Sequence, residues 1–267
     1  MLILYKFMRI NIFGGLKLNV VLKKKIAFVS LMLILAVFMS MFINYRDTGV
    51  FTNVNKKMPI YCVNTQEKKV AITFDVSLGA DYIDKVLDIL DKYNVKATFF
   101  LVGEWIDGHP DQVKEIYNRG HEIGNHSNKH PDMTKLSKNQ IIEDMDINDA
   151  KIRNLTGSGT KLFRCPSGSY NNLVVQTIQG AGCYCIQWDV DSIDWKEQGL
   201  DLEYKRVIDH TNPGSIILFH TTAKYTPQNL PRIIEKLQQQ GYKFVKVGDL
   251  IYKDNYHIDY SGRQVHN

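Results

Sequence analysis

Residues 70–90 read VAITFDVSLGADYIDKVLDIL, and this stretch decides the fold class. Its first five residues are apolar and rich in strand-forming types, and the run ends at Asp75. Four apolar residues then recur at the i, i+3, i+4, i+7 spacing of an amphipathic helix: Ile83, Val86, Leu87 and Leu90. Because a buried strand followed by a helix is the building unit of parallel sheets, we predict an α/β fold.

The same alternation of strand-like and helix-like segments continues to about residue 247. Further short apolar runs cover 97–102, 121–126, 183–188, 216–219 and 244–247. Ser137 and Gln140 have the spacing of a capping box, and Pro231 and Gly241 are expected to bracket a late helix, with Pro231 in its first turn. No glycine-rich phosphate-binding motif is present, so we expect no nucleotide ligand.

Residues with catalytic potential follow the predicted strands, namely Asp75, His126, Arg164, Asp191 and His220. The active site of a β/α barrel lies at the carboxyl ends of its strands, so this placement favours a barrel-like enzyme. An open doubly wound sheet is the alternative, because it also binds ligands at that edge.

The positive charge of the chain belongs to its N-terminus. Residues 1–46 contain seven basic and no acidic residues, whereas the remaining chain has 26 basic and 28 acidic residues. A basic nucleic-acid-binding face on the folded part is therefore not expected.

Residues 26–45 form a run of twenty uncharged residues, long enough as a helix to cross a bilayer core of about 30 Å. Three lysines precede this run, which places residues 1–25 in the cytoplasm and the rest outside. We expect a transmembrane anchor at 26–45, a tether at 46–67 and an extracellular domain on the cell membrane. A cleaved signal peptide is the alternative, and it also exports the C-terminal part.

Several of these residues suggest chemistry by their type and spacing. His126 and His130, in HSNKH, have the i, i+4 spacing that brings two imidazoles to one metal. Asp75 and His220 each end an apolar run and suit a general base and a general acid. Arg164 can orient a carboxylate through paired hydrogen bonds, or it is a surface charge. Trp195 is either a pocket wall or a core residue.

Read in order, the motifs TFD, HSNKH, RCPSG, DSIDW and ILFH resemble those of the polysaccharide deacetylases of carbohydrate esterase family 4. The resemblance covers about residues 68–250, leaving a C-terminal tail at 251–267. Segments such as KATFFLVGEW and GHEIGNH are similar to the sporulation-associated subgroup of that family. The resemblance implies a distorted (β/α) barrel and metal-dependent removal of N-acetyl groups from amino sugars.

The resemblance also implies a role for each matching residue. Asp75 would be the catalytic base, Arg164 would hold it, and His220 would be the general acid. Asp191 would tune His220, and His126 and His130 would bind the metal. Trp195 and Ile217 would line the pocket for the acetyl methyl group. The backbone N–H near Ser167 would help to bind the oxyanion.

One position departs from the family pattern. The residue after the base is usually a second Asp that serves as the third metal ligand, and here it is Val76. Asp81 is the nearest substitute, or else it caps the following helix. Zinc is the expected metal, and cobalt, nickel and manganese suit the same donor types.

The expected function is N-deacetylation of peptidoglycan, at N-acetylglucosamine or N-acetylmuramic acid, in the cell wall or spore cortex. Val76 keeps a second hypothesis open, a carbohydrate-binding pseudoenzyme with weak or no activity. A deacetylase of chitin-type or xylan-type oligosaccharides is the third. The four cysteines do not form a disulfide framework, and Cys183 and Cys185 are expected to be free thiols.

Overall fold

The computed structural model describes residues 20–47 and 56–267. The chain divides into two units, Met1–Asn55 and Lys56–Asn267. Helix α1 (Val20–Asp47) covers the predicted anchor. Within the described ranges, however, no helix has both the length and the apolar character needed to cross a membrane, so the transmembrane helix predicted at 26–45 is not supported. The rest of the predicted N-terminal segment and tether, residues 1–19 and 48–55, lies outside the described residues.

The second unit is built on a parallel sheet. Its strands, taken along the sheet, are β6 (Tyr184–Cys185), β5 (Leu162–Phe163), β4 (Glu122–Asn125), β3 (Thr98–Leu101), β2 (Lys69–Val76), β8 (Ile216–His220) and β7 (Val190–Asp191). A short strand, β9 (Lys243–Phe244), also pairs in parallel with the start of β2. The two edge strands, β6 and β7, follow each other directly in the chain. The sheet is therefore curled, and the predicted parallel α/β fold is confirmed.

Helices cover the outside of the curled sheet. They are α2 (Ile83–Lys92), α3 (Gly103–Gly108), α4 (Pro110–Asn118), α5 (Lys138–Thr156), α6 (Asn172–Gly180), α7 (Leu200–His210), α8 (Thr226–Gln239) and α9 (Val247–Leu250). The four apolar residues predicted to form the inner stripe of α2 are all fully buried, and each contributes about 1.5–3 kcal/mol to stability. The predicted capping box at Ser137 and Gln140 is confirmed, and α5 ends at Gly157 in the left-handed conformation.

Helix α8 begins earlier than the sequence pattern indicated. Pro227 occupies its first turn, and Pro231 lies inside the helix, so the prediction that Pro231 sits in the first turn is wrong. The predicted apolar face, residues 230, 233, 234 and 237, is nevertheless fully buried. The end of the helix is held by backbone bonds to Gln240 and Gly241.

The folded unit is larger than the predicted domain at 68–250. Strand β1 (Cys62–Val63), in the predicted tether, pairs with β11 (Arg263–His266), which pairs with β10 (Tyr256–Ile258). The predicted C-terminal tail is thus part of a three-stranded sheet. The expected free thiols are present, because all four cysteines are unbridged.

Candidate active site

A cavity of about 480 Å³ lies at the carboxyl ends of the central strands. Its lining contains Asp75, Ser77, His126, His130, Ser167, Trp188, Asp191, Trp195, Leu218 and His220. Residues predicted from separate motifs are thus brought together, because β2, β4 and β8 run in parallel and end at the same edge. The cavity is the candidate active site.

Asp75 is held at the end of β2 by a buried arginine. The Arg164 Nη1 donates to Asp75 Oδ1 at 2.7 Å and to Thr73 Oγ1 at 2.9 Å. Burial raises the pKa of Asp75, but the nearby positive charge of Arg164 and the imidazoles of His126 and His220 outweigh it, leaving the pKa below its usual value. Asp75 is therefore a carboxylate at neutral pH, with one oxygen fixed by Arg164 and the other free to accept a proton.

Arg164 is fully buried, although arginine side chains are rarely removed from water without partners. Its second amino group donates to the carbonyl of Gln187 at 3.1 Å. The guanidinium carbon also lies 4.0 Å from the ring centre of Phe100 and 5.5 Å from that of Trp188. These contacts fix the plane of the guanidinium, and hence the position of the Asp75 carboxylate.

His126 and His130 lie on a tight turn that follows β4. The Nδ1 of His126 donates to the carbonyl of Arg164 at 2.9 Å, which leaves Nε2, 3.4 Å from Asp75 Oδ2, as the unprotonated nitrogen. The centres of the two imidazole rings are 5.0 Å apart. Burial lowers the pKa of His126 to about 4 and also lowers that of His130, so both are neutral imidazoles near pH 7.

The turn is stabilised by buried amides that the sequence did not suggest. Ser127 and His130 both have positive φ, and the Ser127 Oγ accepts from the N–H of His130. The amide of Asn148 on α5 donates to the carbonyls of Leu101 and Ser127 and to Asn125 Oδ1. The i, i+4 histidine pair therefore lies on a turn held by Asn148 and not on a helix.

The donor set fits a divalent metal in part. Two neutral imidazoles face one cavity, which suits zinc, but a catalytic zinc usually has three protein ligands. Val76 is fully buried among core residues, and Asp81 is exposed and absent from the cavity lining. Across residues 20–47 and 56–267, no three His, Cys, Asp or Glu side chains form a metal-binding group. Asp81 also does not cap α2, whose N-cap is Tyr82.

His220, at the end of β8, is paired with Asp194 and not with Asp191. The His220 Nδ1 donates to Asp194 Oδ1 at 2.7 Å, and the backbone N–H of His220 donates to Oδ2 at 2.6 Å. Burial lowers the pKa of His220, but the hydrogen bond and charge of Asp194 outweigh it, so the pKa is raised. The protonated form of His220 is thus favoured, and since Nδ1 is bonded to Asp194, the proton would be released from Nε2.

Asp191 lines the cavity but has a different local partner. Its Oδ1 accepts from the backbone N–H of Ile193 at 2.8 Å. Ile193 has a φ of 55°, which is rare for a β-branched residue, and the chain then turns so that Asp194 points inward. Asp194 also accepts from Thr226 Oγ1 at 2.9 Å. The predicted pairing of Asp191 with His220 is therefore replaced by Asp194.

The remaining predicted lining residues divide between cavity and core. Ser167 lies in the cavity wall, and Trp195 lies beside it with 57% of its surface exposed. Ile217 is fully buried in the core, and its neighbour Leu218 lines the cavity, so the prediction for Ile217 is wrong. Adjacent strand residues face opposite sides, and the uniformly apolar sequence of β8 did not indicate which side faces the cavity.

The sequence of this chain is similar to a known protein family and to characterised enzymes of that family. The family model for polysaccharide deacetylase matches residues 63–186. The chain is 33% identical over 213 residues to the peptidoglycan-N-acetylmuramic acid deacetylase PdaA of Bacillus subtilis, covering 78% of this chain and 81% of that protein. It is 35% identical to the peptidoglycan-N-acetylglucosamine deacetylase PgdA of Listeria monocytogenes, covering 78% of this chain and 46% of PgdA.

Solved structures share the fold. The structure of Bacillus subtilis PdaA, a family 4 carbohydrate esterase, has a TM-score of 0.69 at 33% identity and covers 72% of this chain and 84% of PdaA. A family 4 pseudoenzyme from Bacillus anthracis has a TM-score of 0.70 at 35% identity, covering 78% and 73%, and a mutant of it has restored enzymatic activity. The curled parallel sheet is thus that of the family 4 deacetylases. This chain belongs to the polysaccharide deacetylase family.

Proposed function

We propose that this protein is a hydrolase that removes N-acetyl groups from the amino sugars of peptidoglycan. The observation that carries the proposal is that one cavity contains both a deprotonated carboxylate, Asp75, and a histidine whose protonated form is favoured, His220. Arg164 keeps Asp75 as a carboxylate, and Asp194 favours the protonated form of His220. An amide hydrolase needs such a pair, a base for the attacking water and an acid for the departing amine.

In the proposed reaction, the free oxygen of Asp75 takes a proton from a water that adds to the acetyl carbonyl carbon. Ser167 lies in the cavity wall, and its own backbone N–H would stabilise the oxyanion that forms. His220 then donates its proton to the sugar nitrogen as the carbon–nitrogen bond breaks. Acetate and a free amine are the products, and Asp194 stabilises the His220 cation before transfer.

His126 and His130 are the residues that would hold a divalent metal, most simply zinc. When bound, such a metal polarises the acetyl carbonyl and makes water easier to deprotonate. Neither candidate for a third protein ligand faces the cavity, since Val76 lies in the core and Asp81 lies outside the cavity. With two protein ligands we expect weaker metal binding than at a three-ligand site.

The relatives named above act on N-acetylmuramic acid and on N-acetylglucosamine in peptidoglycan. The exposed face of Trp195 beside the cavity supports a sugar substrate, because aromatic rings pack against sugar rings. Resemblance of the intervening segments to the sporulation-associated subgroup supports the spore cortex as one location of the polymer. Since peptidoglycan lies outside the membrane, we propose that the domain acts on the cell surface or in the forespore envelope.

A second function is favoured by one observation. Val76 replaces the expected metal-ligating carboxylate, and a structurally similar member of the family is a pseudoenzyme. A carbohydrate-binding protein with little activity would keep the cavity and Trp195 but would not require the Asp75–Arg164 and His220–Asp194 pairs. Both pairs are formed here, so we favour the enzyme.

The test is muropeptide analysis after incubation of the full chain with purified vegetative and cortex peptidoglycan. Zinc, cobalt or manganese is added in parallel reactions, and a chelator in another. We expect metal-dependent loss of acetyl groups, and mass spectrometry of the fragments assigns it to muramic acid or glucosamine. Unchanged muropeptides under every metal, from protein that is folded by circular dichroism, would favour the pseudoenzyme.

A further inference from the structure

A second cavity, of about 550 Å³, lies at the opposite end of the sheet. His121 precedes β4, Lys161 precedes β5 and Tyr184 begins β6, so these residues line it at the amino-terminal ends of the strands. The two cavities share no lining residue. The mechanism proposed above uses none of the residues of this second cavity.

Two lysines at this cavity lack an acidic partner. Among the described residues, neither Lys161 nor Lys253 has its ammonium within ion-pair distance of a carboxylate. Partial burial lowers the pKa of Lys253, and the charge of Lys161 lowers it further, while the charges of Glu122 and Asp249 raise it in part. The pKa of Lys253 therefore stays below its usual value. A third lysine, Lys246, is 3.7 Å from Asp249.

His121 adds a buried donor to the same cavity wall. Only 4% of the residue is exposed, and its Nδ1 accepts from the backbone N–H of Ala97 at 3.2 Å. Burial lowers its pKa to about 4, so at neutral pH the ring is uncharged and carries its proton on Nε2. This N–H has no hydrogen-bond partner in the described structure, which is costly for a buried group.

Glu122 is the acidic residue of the cavity lining, and its carboxylate is already engaged. Its Oε2 accepts from Thr98 Oγ1 at 2.8 Å and from the backbone N–H of Gly248 at 2.9 Å. Those bonds belong to the packing of β3 against α9. A carboxylate that accepts hydrogen bonds keeps its charge, and the charge of Glu122 raises the pKa of Lys253. Glu122 offsets only part of the positive charge, because the lining contains three lysines, Lys161, Lys246 and Lys253, and this one acidic residue.

We propose that this cavity is a second binding site, which takes an anionic group, a carboxylate or a phosphate, carried by a hydroxyl-rich ligand. Lys161 and Lys253 would bind the anion. The hydroxyls of Tyr184 and Thr156 already donate to backbone carbonyls, so they would accept hydrogen bonds from the hydroxyls of the ligand. The site lies apart from the candidate active site and does not depend on the proposed hydrolysis. An acidic polymer could thus be held at one end of the sheet while the other end remains free.

The test uses binding of small anions to the full chain in neutral detergent, followed by isothermal titration calorimetry at low salt. Inorganic phosphate and acetate are the two probes, and the variant is K161A/K253A. Both lysines are exposed, so the variant should fold normally. The control is K138A/K205A, which removes the same charge from two exposed lysines outside the cavity.

We expect K161A/K253A to weaken binding about tenfold or more, and the control to leave it within about twofold. Binding of phosphate alone would identify a phosphate site, binding of acetate alone a carboxylate site, and binding of both a general anion site. Absence of binding to the wild type, or an equal loss in both double variants, would overturn the proposal. Neither result depends on deacetylase activity.

Discussion

Replacing Asp194 by Asn should lower the pKa of His220, whereas the same change at Asp191 should have little effect. Asp194 bonds directly to the imidazole at 2.7 Å. Asp191 bonds to the backbone of Ile193 and acts on His220 only through its charge. The two variants remove equal charge from the same loop, so each serves as the control for the other.

The size of the effect follows from the hydrogen bond. A bond between charged partners contributes about 1.5–3 kcal/mol, and 1.36 kcal/mol corresponds to about one pKa unit. The His220 side chain is 25% exposed, so solvent screens part of this energy. We therefore expect D194N to lower the pKa of His220 by about one unit, and D191N by a few tenths at most.

The assay is a histidine NMR titration of the metal-free full chain, with the His220 signal assigned by its loss in H220N. Because Asp194 also accepts from the N–H of His220 and from Thr226, thermal denaturation must show that D194N remains folded. In a deacetylase assay, the alkaline limb of the D194N pH–rate profile should move to lower pH, because the acid loses its proton sooner. An unchanged His220 pKa in D194N, or an equal decrease in D191N, would refute the reasoning.

Three other predictions concern packing, buried charge and the metal. A Cβ at Gly124 would overlap the ring of Phe100, so G124A should destabilise the fold by about 1–3 kcal/mol in urea denaturation, whereas G180A, which meets no neighbour, should be nearly neutral. Burial raises the pKa of Glu203 to about 7 in the folded chain, so its protonated form favours the native state at low pH, and this stabilisation is lost as pH rises. The free energy of unfolding should therefore decrease between about pH 5 and pH 8, and E203Q should make that decrease smaller. The same decrease in E203Q and the wild type would count against this assignment. V76D should lower the melting temperature in chelator, because it buries a carboxylate in the core. Zinc should raise the melting temperature of V76D more than that of the wild type. An equal rise in both proteins would show that position 76 is not a ligand position.

The sequence predicted those parts of the fold that depend on periodicity. The apolar stripe of α2 and the placement of Asp75 and His220 at strand ends follow from spacing alone, and the structure contains both. The uniformly apolar strand β8 is different, because both of its faces are buried. No alternation in it distinguishes Ile217 from Leu218, so the sequence could not indicate which of the two lines the cavity.

Loop conformation was the other source of error. The motif DSIDW contains two acidic residues, Asp191 and Asp194. Which of them pairs with His220 depends on the turn at Ile193, whose left-handed backbone no local pattern predicts. Long-range contacts were also hidden, because Asn148 supports the histidine turn from a helix about twenty residues away. The pairing of β1 with β11 joins segments about two hundred residues apart, one in the predicted tether and one in the predicted C-terminal tail, so no local pattern reveals it.

The most direct test of the account is the rate of acetate release from peptidoglycan by the wild type, D75N and H220N under identical metal conditions. The account assigns the base to Asp75 and the acid to His220 in one cavity. It predicts that the wild type releases acetate and that each variant, still folded, is slower by about 10²- to 10⁴-fold. Rates for D75N and H220N within a few-fold of the wild type would contradict it.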